Sequence, residues 1–150
     1  MAEEGKALIA GVTCVIGYNL AKYLLGENSK HTLTKVYGVS RRSVEGLPNE
    51  LQHIPCNLLD VEDVRTKIGP LKDVTHMFFC AVWYNMEEKG VSDISSYVPD
   101  NTAMLRNLLE ALNSPVEHAI LVTGTKHYFG ERSEERRVGK EWGWGGGGGV

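Results

Sequence analysis

The chain has 150 residues and a formal net charge of −3, with acidic and basic side chains interspersed along its length. That length suits one domain. The absence of a basic block argues against nucleic-acid binding, and no apolar run approaches the roughly 20 residues of a membrane-spanning helix.

Lys6 to Ala10 reads as a short apolar strand buried on both faces. It runs directly into Gly11-Val12-Thr13-Cys14-Val15-Ile16-Gly17. An apolar strand entering a glycine-spaced turn and then a helix is how α/β proteins hold a dinucleotide pyrophosphate. The free N–H groups and positive end of the helix attract the phosphates, and glycine permits a sharp turn and a close approach. Gly11, Thr13, Cys14, Val15, Ile16 and Gly17 are therefore candidate cofactor contacts. The Cys14 thiol either crowds the pyrophosphate or tucks under the turn. Beyond it, Ile16, Leu20, Tyr23 and Leu24 recur at helical spacing and predict a helix to Leu25.

Gly26 to Thr34 reads as a polar loop, Lys35 to Ser40 as a second strand, and Arg41 to Asn49 as another loop. The end of the second strand, about 20 residues past the turn, is where the adenosine ribose of a dinucleotide lands. An acid there would bond the 2′-OH of NAD. Arg41 and Arg42 stand there instead, and two guanidinium groups suit a 2′-phosphate through forked, charge-assisted bonds. The pair thus points to NADPH, against the plainer reading of a solvated basic loop.

Leu51 to Cys56 predicts a third strand. Asn57 and Leu58 follow it as candidate adenine contacts, unless Asn57 satisfies its own backbone. Asp60 is placed to cap a helix over Val61 to Ile68. Thr75 to Val82 suits a central strand, and Ala81 lies at its carboxyl end, where ligands gather in open parallel sheets. Trp83 to Val98 reads as a long loop. A helix from Asp100 or Asn101 to about Asn113 would carry Met104, Leu105, Leu108, Leu109 and Leu112 on its apolar face, closed by Ser114-Pro115. His118 to Thr123 predicts a fifth strand, with Thr123 a further candidate cofactor contact. The alternation of strands and helices predicts an α/β fold: a Rossmann-type, doubly wound parallel sheet.

Thr123-Gly124-Thr125-Lys126-His127-Tyr128 then occupies another carboxyl edge, where a cofactor's reactive end belongs. A lysine ammonium there stabilises an oxyanion and lowers the pKa of a neighbouring phenol, which makes Lys126 the candidate catalytic residue. Tyr128 is a second candidate proton donor, weighed against aromatic packing under the loop. The histidines are scattered and suggest no metal site. Cys14, Cys56 and Cys80 form neither a metal pattern nor a disulfide framework, and Met1 to Lys6 is unlike a targeting segment. A cytoplasmic protein is expected.

From Glu131 the apolar periodicity stops. Arg132 to Glu141 reads as the translation of a sequencing adapter, and the Gly/Trp remainder as a read through a run of G. Residues 1–130 are thus expected to form an incomplete dinucleotide-binding domain, truncated after about strand five, and 131–150 a disordered, non-native tail. A flexible charged native tail is the alternative.

Together, Gly11 to Gly17, Val36-Tyr37-Gly38-Val39-Ser40-Arg41-Arg42, Asp73 to Phe79, Asn101 to Asn107 and Thr123 to Tyr128 resemble the progesterone 5β-reductase/iridoid synthase-like family. These are atypical short-chain dehydrogenase/reductases. The chain departs from their pattern at Cys14, where glycine is usual, and at Asn57, where Asp is usual. The resemblance implies hydride transfer from NADPH to the β-carbon of an enone, a small-molecule carbonyl substrate, with Lys126 matching the catalytic lysine. The family's catalytic tyrosine belongs to a later motif, so the 150-residue chain is expected to be inactive by itself. Two other functions compete: a non-catalytic NADPH-sensing regulator, and an NAD-dependent epimerase or dehydratase, which would want an acid after strand two. The sequence leaves the oligomeric state open.

Overall fold

Strands and helices alternate as β1 (Gly5–Ala10), α1 (Val15–Leu24), β2 (Leu33–Ser40), β3 (Gln52–Pro55), α2 (Val61–Ile68), β4 (His76–Phe79), α3 (Val98–Ala111) and β5 (His118–Leu121). They belong to a computed structural model that describes residues 5–27, 33–43, 45–84 and 97–123. Most of the loop expected after Trp83, the segment carrying Lys126 and Tyr128, and the tail 131–150 lie outside the described residues.

The five strands form one parallel sheet in the order β3-β2-β1-β4-β5. This is the doubly wound α/β Rossmann-type arrangement that the alternation predicts. β1 holds the centre: Ala7 to Ala10 pair with Val36 to Val39 on one side and with His76 to Phe79 on the other. Its side chains alternate between two cores. Ala7 and Ile9 pack with Ala21 and Leu24 of α1, while Leu8 and Ala10 pack with Val64 and Ile68 of α2 and Leu108 of α3. Helices therefore cover both faces, which is why β1 reads as a continuous apolar run. Burying Leu8 and Ile9 completely stabilises the fold by about 1.5–3 kcal/mol each.

The helices follow local signals with two corrections. Asp60 caps α2, its Oδ1 accepting from the N–H groups of Glu62 and Asp63 at 3.1 Å each. In α1 the buried residues are Gly17, Ala21 and Leu24, whereas Ile16 and Tyr23 are exposed. The face is rotated because α1 lies so close to the turn before it that only small residues fit beneath. In α3 the start is Val98 rather than Asp100 or Asn101. Pro99 supplies a helical φ in the first turn. Leu109 is exposed, and Ala111 is buried in its stead. The third, fourth and fifth strands are each shorter than the apolar runs suggest, and Val82 is exposed beyond β4.

Candidate functional site

At the carboxyl edge of the sheet, the chain leaves β1 to form α1 on one face, while α3, which follows β4, covers the other. Divergence of two neighbouring strands opens a crevice between them. A cleft lies there, lined from β1 by Gly11, Thr13 and Cys14, from β2 by Val39, Ser40 and Arg41, from the β3 exit by Cys56, Asn57 and Leu58, and from the β4 exit by Ala81, Val82 and Trp83. Met104 of α3 completes it.

Both glycines of the turn are required by packing. Gly11 has φ +83°, and a Cβ on it would sit 2.6 Å from the Ala81 nitrogen. A Cβ on Gly17 would sit 2.3 Å from the Gly11 carbonyl oxygen. The turn is pinned to β2 by the Gly11 N–H, which donates to the Val39 carbonyl at 2.8 Å. The turn therefore leads tightly into the N-terminus of α1, the kind of position where phosphates bind.

Cys14 has φ −77° and ψ 162°, extended backbone that does not need glycine. Its Sγ accepts the Gly17 N–H at 3.3 Å, and its S–H donates to the Cys80 carbonyl at 3.4 Å. The thiol is therefore tucked against the turn as the cap of α1. Val15 and Ile16 begin the helix with exposed side chains outside the cleft lining.

Arg41 and Arg42 are exposed on the bend after β2, and Arg41 lines the cleft. Among the described residues neither joins a salt bridge. Their loop is tied back at Gly46, whose carbonyl accepts from the Tyr18 hydroxyl at 3.1 Å. Gly46 also has φ +83°.

Burial pushes the Cys56 thiol up to about 12, with the nearby Asp63 carboxylate adding to it. Burial likewise pushes the Cys80 thiol up to about 11, reinforced by Cys14. Both thiols are protonated at neutral pH and line or underlie the cleft as apolar groups. Asn57 makes the local bond weighed from sequence, its Oδ1 accepting from the Leu59 N–H at 3.2 Å. Thr123 is exposed and not part of the cleft lining, and Lys126 lies outside the described residues.

Two α3 asparagines hold the walls, and sequence reasoning gave neither a role. Asn101 accepts from the Trp83 N–H at 2.9 Å and donates to the Trp83 carbonyl at 2.8 Å. Asn107 Nδ2 donates to the Leu58 carbonyl at 2.9 Å. Their signal was an asparagine at each end of one helix segment, which has meaning only once that helix is placed beside two strand exits.

Residues 7–141 match the model of the NAD dependent epimerase/dehydratase family. The chain is 40% identical over 132 residues to a 3-oxo-Delta(4,5)-steroid 5-beta-reductase from Arabidopsis thaliana, covering 85% of this chain and 32% of that protein. It is 38% identical over 132 residues to an (S)-8-oxocitronellyl enol synthase from Nepeta cataria, with the same coverage of 85% and 32%. The chain thus spans about a third of the length of the curated relatives it matches, and they bear out the resemblance carried by its motifs. A solved structure of a putative epimerase from Burkholderia cenocepacia J2315 shares the fold, with a TM-score of 0.62 and 20% identity over 83% of this chain and 39% of that one. Sheet order, glycine turn and family match agree: the chain belongs to the NAD dependent epimerase/dehydratase family.

Proposed function

We propose that this chain is the NADPH-binding part of a cytoplasmic oxidoreductase that reduces an enone or a related small carbonyl compound. The observation that carries the reading is one crevice lined both by the glycine turn, through Gly11, Thr13 and Cys14, and by Arg41. Such walls suit a pyrophosphate and a 2′-phosphate respectively. In this reading the turn from Gly11 to Gly17, with the first N–H groups of α1 at Val15 and Ile16, holds the pyrophosphate. Arg41 and Arg42 take the 2′-phosphate, Asn57 and Leu58 border the adenine, and Ala81 borders the nicotinamide half. Gly11 and Gly17 let the turn pack against the β4 exit and against itself, since a Cβ at either would meet backbone.

The nicotinamide supplies hydride when bound. Lys126, by its resemblance to the catalytic lysine of the reductases, holds the oxygen of the carbonyl as negative charge develops on it. The steroid and oxocitronellyl compounds in the relatives' names support a small carbonyl substrate.

Fluorescence titration of the chain with NADPH and with NADH tests the cofactor reading. Arg41→Glu is expected to weaken NADPH binding by more than about tenfold, the loss of charge-assisted bonds, with NADH changed less than about twofold. Equal effects on both would overturn the preference. In the full-length protein, Lys126→Ala is expected to abolish NADPH oxidation by a simple enone while leaving NADPH binding intact. Binding without oxidation by the wild-type protein would favour a cofactor sensor instead.

A further inference from the structure

Ser40 is the last residue of β2 and is buried, in contrast to the two exposed arginines that follow it. Its Oγ lies 2.8 Å from the Arg42 carbonyl oxygen and 2.8 Å from His53 Nε2 on the next strand. A serine hydroxyl has one proton. Oγ–H donates it to the Arg42 carbonyl, so His53 must donate Nε2–H to Oγ. The result is a directional relay from imidazole through hydroxyl to the backbone of the basic bend.

The sheet register makes the relay possible. Gly38 pairs with His53 and Ser40 with Pro55, so Ser40 and His53 are diagonal neighbours across two parallel strands. Residues two apart share a face, which places Val36, Gly38 and Ser40 on the α1 side. Gly38 lets that side pack closely: a Cβ there would meet Leu51 Cδ2 and Val12 Cγ2, each at 2.9 Å. The Ser40 carbonyl is also held, accepting the Cys56 N–H at 3.0 Å. The far end of the loop is fastened separately, through Tyr18 and Gly46.

We infer that Ser40 and His53 are positioning residues for 2′-phosphate recognition. They fix the carbonyl of Arg42 and hence the path of the backbone that carries both guanidinium groups. A forked charge-assisted bond needs its donors held in place, and a bend held only by solvent would spend part of the binding free energy on ordering. His53 thereby has a function that its scattered place in the sequence does not suggest. The inference rests on the NADPH reading of Arg41 and Arg42.

The test is titration of the whole chain with NADPH and NADH for wild type, Ser40→Ala, His53→Phe, His53→Gln and Arg41→Glu. Ser40→Ala and His53→Phe are expected to raise the Kd for NADPH about fivefold, the size of one lost neutral hydrogen bond, with the Kd for NADH unchanged. His53→Gln keeps an N–H donor and is expected to restore at least half of that loss. A parallel rise for both cofactors would mark a merely structural role and overturn the inference, as would no change with either. Should Ser40→Ala fail to fold, the Phe and Gln pair at position 53 decides the matter. If Arg41→Glu spares NADPH, or wild type binds neither dinucleotide, the cofactor reading itself falls and this inference with it. If Arg41→Glu discriminates and the Ser40 and His53 variants do not, only the positioning role is lost.

Discussion

β1 and β5 are both short apolar parallel strands, yet they meet opposite surroundings. Leu8 and Ile9 of β1 expose no surface, whereas Ile120 and Leu121 of β5 are 49% and 54% exposed. The difference is one of neighbours rather than of residue type. β1 has a strand on each side and a helical layer on each face, while β5 pairs with β4 alone among the described residues. An apolar run therefore specifies a strand, and the strand order decides how much that run contributes to stability.

The sharpest way to break this comparison is at the exit from β1. Gly11→Ala forces a Cβ against the Cys80–Ala81 backbone just after β4 at a positive φ and is expected to cost more than about 3 kcal/mol, enough to unfold a marginal domain. Urea unfolding followed by circular dichroism reads it; a variant with wild-type stability would show that the strand exits are not tightly packed. Within the strands, Ile9→Ala is expected to cost about 2–5 kcal/mol by leaving a cavity. The same change at Ile120 is expected to cost under about 1 kcal/mol. Similar losses at both positions would mean that β5 is covered in solution, for instance by self-association through its apolar surface.

The smallest effect lies away from both strands, where local charge replaces packing. The hydrogen bond from Lys67 holds the Asp63 carboxyl below its ordinary 3.8, helped by the Asn57 N–H. A depressed carboxylate pKa contributes stability that is present above the unfolded value and lost as pH falls through the folded one. Asp63→Asn is expected to flatten the acid limb of a stability–pH profile below about pH 4 and to lower neutral stability by the same small amount. A profile with an unaltered acid limb would remove Asp63 from that role.

What the sequence could disclose follows the same division. The tight packing of Gly11 and Gly17 and the cap at Asp60 were legible because each acts through local backbone. The buried face of α1 was not, because Gly17 and Ala21 carry almost no hydrophobic signal and are selected by close approach. Leu109 misled for the converse reason, fitting the helical period while facing away from any neighbour able to bury it. The roles of Asn101, Asn107 and His53 depend on partners 18, 49 and 13 residues distant, which only the assembled sheet brings near.

Every residue lining the crevice falls between Gly11 and Met104. The first strand made is the central one, and β2 and β4 have joined it by Phe79. During synthesis from the N-terminus the sheet therefore grows outward from its middle. The crevice lining is thus complete in the sequence once α3 has been made, ahead of β5. A ligand that binds only the folded chain at this crevice would stabilise it by mass action.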